Sequence, residues 1–279
     1  MITVGIVDYY ISEWHANHSA EVFEKANKIT GLDCQIKYAY AEKYISEFDG
    51  KNTDEWCSEY GVTKCDTIAE LCQKCDAVMI LAPSNPETHL KYAKEVFKWK
   101  KPTFIDKTFV DNYAEAKEAF EAAEKYGAKF FSTSSLRFAD ENKLYSGANK
   151  LVVYGNYTNY PEYAVHHLER AISVIGAKPI ALKTERQGEH LFTTLKFEGD
   201  REAAIVATHM TPDAFAMDEG EKRLYNEIKS DFFLNQGVVM SRFFATGEIP
   251  FDTNETLYIM KARDAALAAY DNPGVWYEI

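Results

Sequence analysis

Three short segments at the ends of predicted strands carry side chains that could do chemistry. Asp8-Tyr-Tyr-Ile-Ser-Glu-Trp-His15 follows the β-branched run at residues 3–7. Ala82-Pro83-Ser84-Asn85, leading on to His89, follows the apolar run at 76–82. Asp106-Lys107-Thr108 follows the run at 102–106. Each run reads as a strand, and in a doubly wound parallel sheet the ligand crevice lies past the carboxyl ends of the strands. A lysine there, Lys107, can donate a hydrogen bond to a substrate hydroxyl and favour its ionisation; the plainer reading is a solvated loop lysine. Glu162 and His166 stand four apart in a helical pattern and so meet on one face. A carboxylate beside an imidazole raises its basicity and fixes its orientation, which suits acid–base work, although such a pair is also an ordinary surface ion pair. His167 points about 100° away and reads as a packing or surface residue.

The elements that must position these groups alternate through the first half. After the first strand, Trp14, His18, Val22, Phe23 and Ala26 share a helical face, and Cys34, Ile36, Tyr38 and Tyr40 alternate as a strand. Thr67 with Glu70 forms a capping-box pattern that starts a helix near Ile68. The continuous apolar run at 76–82 suits a parallel strand covered on both faces. Helices follow over 90–97 and 114–126, the second ending at Gly127. The later half changes character. A helix spans 161–175, entered at a proline and stopped at Gly176, and residues 180–210 alternate like hairpins. Further helices are expected over 221–233 and 255–270. The predicted fold is α/β, a Rossmann-type doubly wound parallel sheet over residues 1–130. A C-terminal α+β domain with a mostly antiparallel, open-faced sheet follows over 131–279. The last helix is expected to pack back on the first domain. An apolar open sheet face favours a homo-oligomer.

Composition excludes several classes. With 46 % hydrophobic residues the 279-residue chain has enough apolar surface for packed domains. A net charge of −12 opposes binding to phosphate backbones, so no nucleic-acid partner is expected. The basic cluster Lys98-Trp99-Lys100-Lys101 reads as the cationic end of a helix. No apolar run approaches the ~20 residues of a membrane span, and the first residues read as a strand, not as a signal peptide, so a cytoplasmic protein is expected. The five cysteines are odd in number, and the lone Cys72-x-x-Cys75 lacks a second knuckle. They read as small core hydrophobes and not as a disulfide framework or metal site.

Ala77-Val-Met-Ile-Leu-Ala-Pro-Ser-Asn-Pro-Glu-Thr-His89, Lys101-Pro-Thr-Phe-Ile-Asp-Lys-Thr108, Ser134-Ser-Leu-Arg-Phe138, Glu162-Tyr-Ala-Val-His166 and Thr246-Gly-Glu-Ile-Pro250 occur in an order and at spacings that resemble the Gfo/Idh/MocA oxidoreductases. The resemblance covers nearly the whole chain. It implies hydride transfer between a nicotinamide cofactor, NAD or NADP, and a hydroxyl carbon of a sugar, polyol or related small molecule. It makes Lys107 and His166 the catalytic pair, with Glu162 assisting, and brings the three together in an interdomain cleft. Cofactor-binding positions fall on Asp8, Tyr9, Tyr10, Ile11, Glu42, Ala82, Pro83, Ser84, Asn85, His89 and Asp106, with no metal.

The chain departs from this pattern after its first strand. The glycine-rich turn is replaced by Asp8-Tyr-Tyr-Ile-Ser12, one residue shorter and without a glycine. Those glycines let backbone N–H groups approach a pyrophosphate. Tyr9 or Tyr10 is therefore expected to fill the pyrophosphate's space, and Asp8 to repel its charge. Glu42 is the only acid near the position that holds the adenosine ribose, and Lys43 the only nearby base for a 2′-phosphate, so NAD is favoured over NADP. Two further readings follow from the missing glycines. One is a binding or regulatory protein that has lost the dinucleotide; the other is a non-redox enzyme using Lys107 and His166 on an anionic or sugar ligand.

Overall fold

β-Branched and apolar residues build the first sheet directly: β1 (Ile2–Asp8), β2 (Cys34–Ala41), β3 (Thr63–Lys64), β4 (Ala77–Ile80), β5 (Thr103–Ile105) and β6 (Phe130–Ser132). The computed structural model describes every residue except Met210 and Glu221. Strand order is β3-β2-β1-β4-β5-β6, and all the neighbouring pairs are parallel. The order reverses between β1 and β4, the switch point at which such sheets open a crevice. Helices α1 (Trp14–Thr30), α2 (Thr53–Tyr60), α3 (Ile68–Lys74), α4 (His89–Phe97) and α5 (Tyr113–Tyr126) form the connections. The Thr67 hydroxyl caps α3 by accepting from the Glu70 amide, and α5 ends at Gly127 with φ 67°. β1 passes close beneath α3: a Cβ on Gly5 would lie 2.5 Å from Leu71 Cδ2. Cys72 and Cys75 pack in the same layer; burial pushes both thiols up to about 12. All five cysteines are buried and free.

The second sheet holds β7 (Lys150–Asn156), β8 (Pro179–Gln187), β9 (His190–Phe197), β10 (Glu202–Thr208), β11 (Ala214–Glu219), β12 (Lys222–Glu227) and β13 (Trp276–Glu278). Its order is β12-β11-β7-β10-β9-β8-β13; β7 and β10 run parallel and the other pairs antiparallel. Besides the short α6 (Asn142–Tyr145), α7 (Tyr160–Ile175) and α9 (Asn254–Asp271) cover one face, burying Leu168, Ile172, Ile259 and Ala266 against Leu182, Leu195 and Ile205. The other face alternates outward with Phe192, Tyr225 and Trp276, which are 38, 58 and 43 % exposed. The apolar helix α8 (Phe232–Thr246) lies between β12 and α9 in sequence. The chain divides into one unit of Met1–Thr133 with Phe233–Thr253 and a second of Ser134–Phe232 with Asn254–Ile279.

Two expectations are corrected here. The helix expected over 221–233 is instead strand β12 followed by the start of α8; Glu221 lies outside the described residues. Lys222-Arg-Leu-Tyr-Asn-Glu contains good helix formers, but it lacks an apolar stripe and pairs along its whole length with β11. α8 groups with the first unit and α9 with the second. On α1 the buried face is Ala16, Ser19, Phe23 and Ala26, whereas Trp14 is 42 % exposed. Among the described residues no helix is long and apolar enough to cross a membrane.

Candidate functional site

β1 delivers Asp8 to the switch point, where it is 1 % exposed. Its Oδ1 accepts from the amides of Tyr9 at 2.7 Å and Ala82 at 3.0 Å, tying the ends of β1 and β4 together. Oδ2 is buried without a hydrogen bond. Burial, with the Glu13 charge close by, pushes this carboxyl well above the usual range. The turn that follows is stitched to the end of β2: Glu42 N donates to Asp8 O at 3.1 Å and Lys43 N to Tyr9 O at 2.6 Å. The Lys43 ammonium lies 4.9 Å from the Tyr9 ring centroid. Tyr9 and Tyr10 are half-buried with rings 5.9 Å apart, and Ile11 belongs to the core at 1 % exposure.

Glu13, to which the sequence assigns no individual role within the 8–15 segment, ends this turn as the N-cap of α1. Its carboxylate folds back to accept from the amides of Ala16 and of His15, the latter at 2.7 Å. It is 3 % exposed; burial raises its pKa, against the pull of His15. These are the first-turn amides that make a helix N-terminus an anion seat.

The β4 and β5 ends are built differently. Asp106, 2 % exposed, faces His15, with Nδ1 to Oδ2 at 2.9 Å. Burial alone would raise the Asp106 carboxyl, but His15 and Lys107 outweigh it and hold it below the usual range. Burial likewise opposes protonation of His15, and Asp106 overcomes it, raising that imidazole. Lys107 is 8 % exposed and donates to Pro83 O at 3.3 Å. Ala82 adopts φ 47°, uncommon for a residue with a side chain, where the chain leaves β4. Ser84 is exposed, and Asn85 closes the turn through Asn85 N to Ala82 O at 2.9 Å. Beside this corner a narrow cleft opens between α1 and α8, lined by Trp14, His15, Phe104, Phe233, Gln236 and Met240.

Two of the expected cofactor positions resolve in different ways. His89 is fully buried, with Nδ1 3.0 Å from Phe109 O and Nε2 against Leu81 O; burial lowers its pKa. Its ring braces the β4 and β5 ends from inside and presents no nitrogen to a ligand. Glu42 stands past the end of β2 and accepts from Lys91 Nζ at 2.7 Å and Tyr92 OH at 2.8 Å; the Lys91 bond lowers its pKa.

In the second unit α7 presents Glu162 and His166 on one face, both partly exposed. His166 Nδ1 lies 2.6 Å from Ser134 Oγ, and Ser134 N donates to Glu169 Oε2 at 2.7 Å. Arg137 bridges Glu169, at 3.6 Å, and Glu255, at 2.7 Å. His166 is thus steadied by the segment that opens this unit. His167 is a packing residue: buried, pushed down to about 3 by burial and Arg170, with Nε2 3.1 Å from Asn156 O. A Cβ on Gly155 would lie 2.1 Å from that nitrogen.

A dinucleotide fits the two ends of this edge unequally. Glu42 is the acid that a ribose diol needs beyond β2. At α1 the fit fails, because Glu13 already takes the His15 and Ala16 amides and no glycine lies between Gly5 and Gly31. A phosphate about 4 Å from that carboxylate is opposed by roughly 4 kcal/mol at an effective dielectric of 20.

No curated protein sequence matches the chain. Its fold is shared with a UDP-N-acetylglucosamine 3-dehydrogenase from Acidithiobacillus ferrooxidans (12 % identity, TM-score 0.76, 96 % of this chain and 97 % of the other). An aldose-aldose oxidoreductase from Caulobacter crescentus (13 %, 0.75, 100 % and 99 %) shares it too. So does a scyllo-inositol dehydrogenase from Lactobacillus casei solved with NAD(H) and scyllo-inositol (13 %, 0.76, 100 % and 99 %). Residues 6–134 match the family described as an oxidoreductase family with an NAD-binding Rossmann fold. Over these residues the chain is similar to the Gfo/Idh/MocA oxidoreductases.

Proposed function

We propose that this chain is an oxidoreductase acting on a hydroxyl carbon of a sugar, polyol or related small molecule, with Lys107 as its principal catalytic residue. The observation that carries the reading is the β5 corner. There a lysine that is 8 % exposed follows the buried Asp106–His15 pair at the carboxyl edge of a β3-β2-β1-β4-β5-β6 sheet. An ammonium so held donates to a substrate hydroxyl oxygen and stabilises the alkoxide as charge develops. Asp106 and His15 keep the corner near charge balance and fix the backbone from which Lys107 extends. In this family a nicotinamide dinucleotide supplies the redox half of the reaction. Glu42 supports NAD over NADP, since an acid there bonds ribose hydroxyls and repels a 2′-phosphate. His166, oriented by Ser134 and flanked on α7 by Glu162, is the second acid–base group of this reading. The outward aromatic face of the second sheet is the proposed contact of a homo-oligomer.

The test is a panel of sugars and polyols with NAD or NADP, followed by absorbance of the reduced nicotinamide. Turnover of at least one hydroxyl substrate is expected, and it should be lost in Lys107→Met with the fold intact. Absence of turnover across the panel, with no nucleotide bound, would favour the second reading. That reading, a binding protein without a dinucleotide, is supported specifically by Glu13 at the α1 N-terminus.

A further inference from the structure

We infer that Glu13 is the residue that sets dinucleotide affinity in this chain: its carboxylate occupies the anion seat of α1, and a pyrophosphate gains that seat only by displacing it. The inference rests on the proposed dinucleotide-dependent function. In a Rossmann unit the first-turn amides of the helix after β1 point at the pyrophosphate. In this chain the amides at the second and third helical positions, His15 and Ala16, are both bonded to Glu13. The carboxylate is no passing surface contact: it is 3 % exposed, and the turn that carries it is pinned. Asp8 O and Tyr9 O bond the β2 end, and Ser12 Oγ donates to Asp49 Oδ2 at 2.7 Å. A second carboxyl, Asp8, lies behind it with Oδ2 buried and unbonded. A single residue therefore does two things that a glycine in a phosphate loop does not: it saturates the donors and places a negative charge where the ligand's charge must go.

Charge and occupancy separate by substitution. Glu13→Ser keeps a neutral capping oxygen short enough to leave room, so α1 stays capped. Glu13→Gln keeps the bulk and removes the charge. NADH is titrated by fluorescence against the full-length protein and both variants, with thermal melts to establish folding. The amide resonances of His15 and Ala16 are followed separately as inorganic pyrophosphate is added. Glu13→Ser is expected to tighten NADH binding on the order of a hundredfold to a thousandfold, the scale of the like-charge contact relieved. Glu13→Gln should fall between it and the unmodified chain. The two amides should shift with pyrophosphate in Glu13→Ser and stay fixed in the unmodified chain. Equal NADH affinity in all three proteins overturns the inference while leaving the proposed function standing. Weaker binding in Glu13→Ser also overturns it, since Glu13 would then be helping to hold the ligand. Binding by none of them, with folded protein, overturns both the inference and the dinucleotide-dependent reading.

Discussion

Asp8 and Asp106 end two strands of one sheet and are almost equally hidden, at 1 and 2 % exposure, yet their carboxyls are driven in opposite directions. Asp8 is raised by burial and by Glu13. Asp106 is lowered because His15 and Lys107 outweigh its burial. Neighbours decide the sign, not depth. The β1 corner collects acids and fills its own anion seat; the β5 corner balances an acid with two bases and presents a cation. The sheet tolerates both because its strand pairing uses backbone groups and apolar side chains, not the ligand edge.

The strongest way to break this contrast is to remove the cation. Lys107→Met should lower kcat by about 10²–10⁴-fold, the range for one proton-handling group. A thermal melt should still show a folded, cooperatively melting variant, which separates loss of turnover from loss of fold. Turnover that survives at half its rate or better would mean that the β5 corner is not the reactive one.

A smaller effect is expected from Asp106→Asn. The loss of a charged hydrogen bond to His15 should cost about 1.5–3 kcal/mol. The pair also fixes the pH window. His15 is raised above its ordinary 6.5, so its contribution is complete below that value and is lost as pH rises through the raised one. Asp106 is lowered below 3.8, so its contribution is present above that value and is lost as pH falls through the lowered one. Urea unfolding across pH should therefore show the largest gap between the unmodified chain and the variant from about pH 4 to 6.5, narrowing toward alkaline pH. A gap that widens above neutrality would show that His15 is uncharged in the folded protein.

The β5 corner was legible in the sequence, and the β1 corner only in outline. Lys107 and Asp106 follow an unmistakable apolar strand, and the missing glycines after Val7 announce a changed turn. Glu13 escaped because N-caps are sought among short polar side chains, whereas a glutamate must curl back to reach the same amides. The signal was there: an acid directly before a helix whose preceding turn has lost its glycines. His15 with Asp106 is a contact between residues 91 positions apart (106 − 15), which no local pattern reveals. Local composition also misled over β12, where helix-forming residues join a sheet edge because β11 offers them a partner.

The smallest expected effect tests the other side of the contrast. In Asp8→Asn the amide oxygen can keep both bonds that Oδ1 accepts, from Tyr9 and Ala82. The NH2 replaces an oxygen that is already buried and unbonded, so no new unsatisfied atom is created. What changes is the titration. The carboxyl's folded pKa lies above its ordinary 3.8, so its stabilising contribution is complete below that value and is lost as pH rises through the raised one. The amide does not titrate and escapes that loss. Asp8→Asn should therefore match the unmodified chain at about pH 4 and exceed it by about 1 kcal/mol at about pH 8, on the scale of one buried hydrogen-bonding group. Urea unfolding at the two pH values measures the difference. A variant that is less stable at the higher pH would show that the Asp8 carboxylate is ionised and held by its two amides. The β1 corner would then be governed, like the β5 corner, by the groups that stabilise its charge.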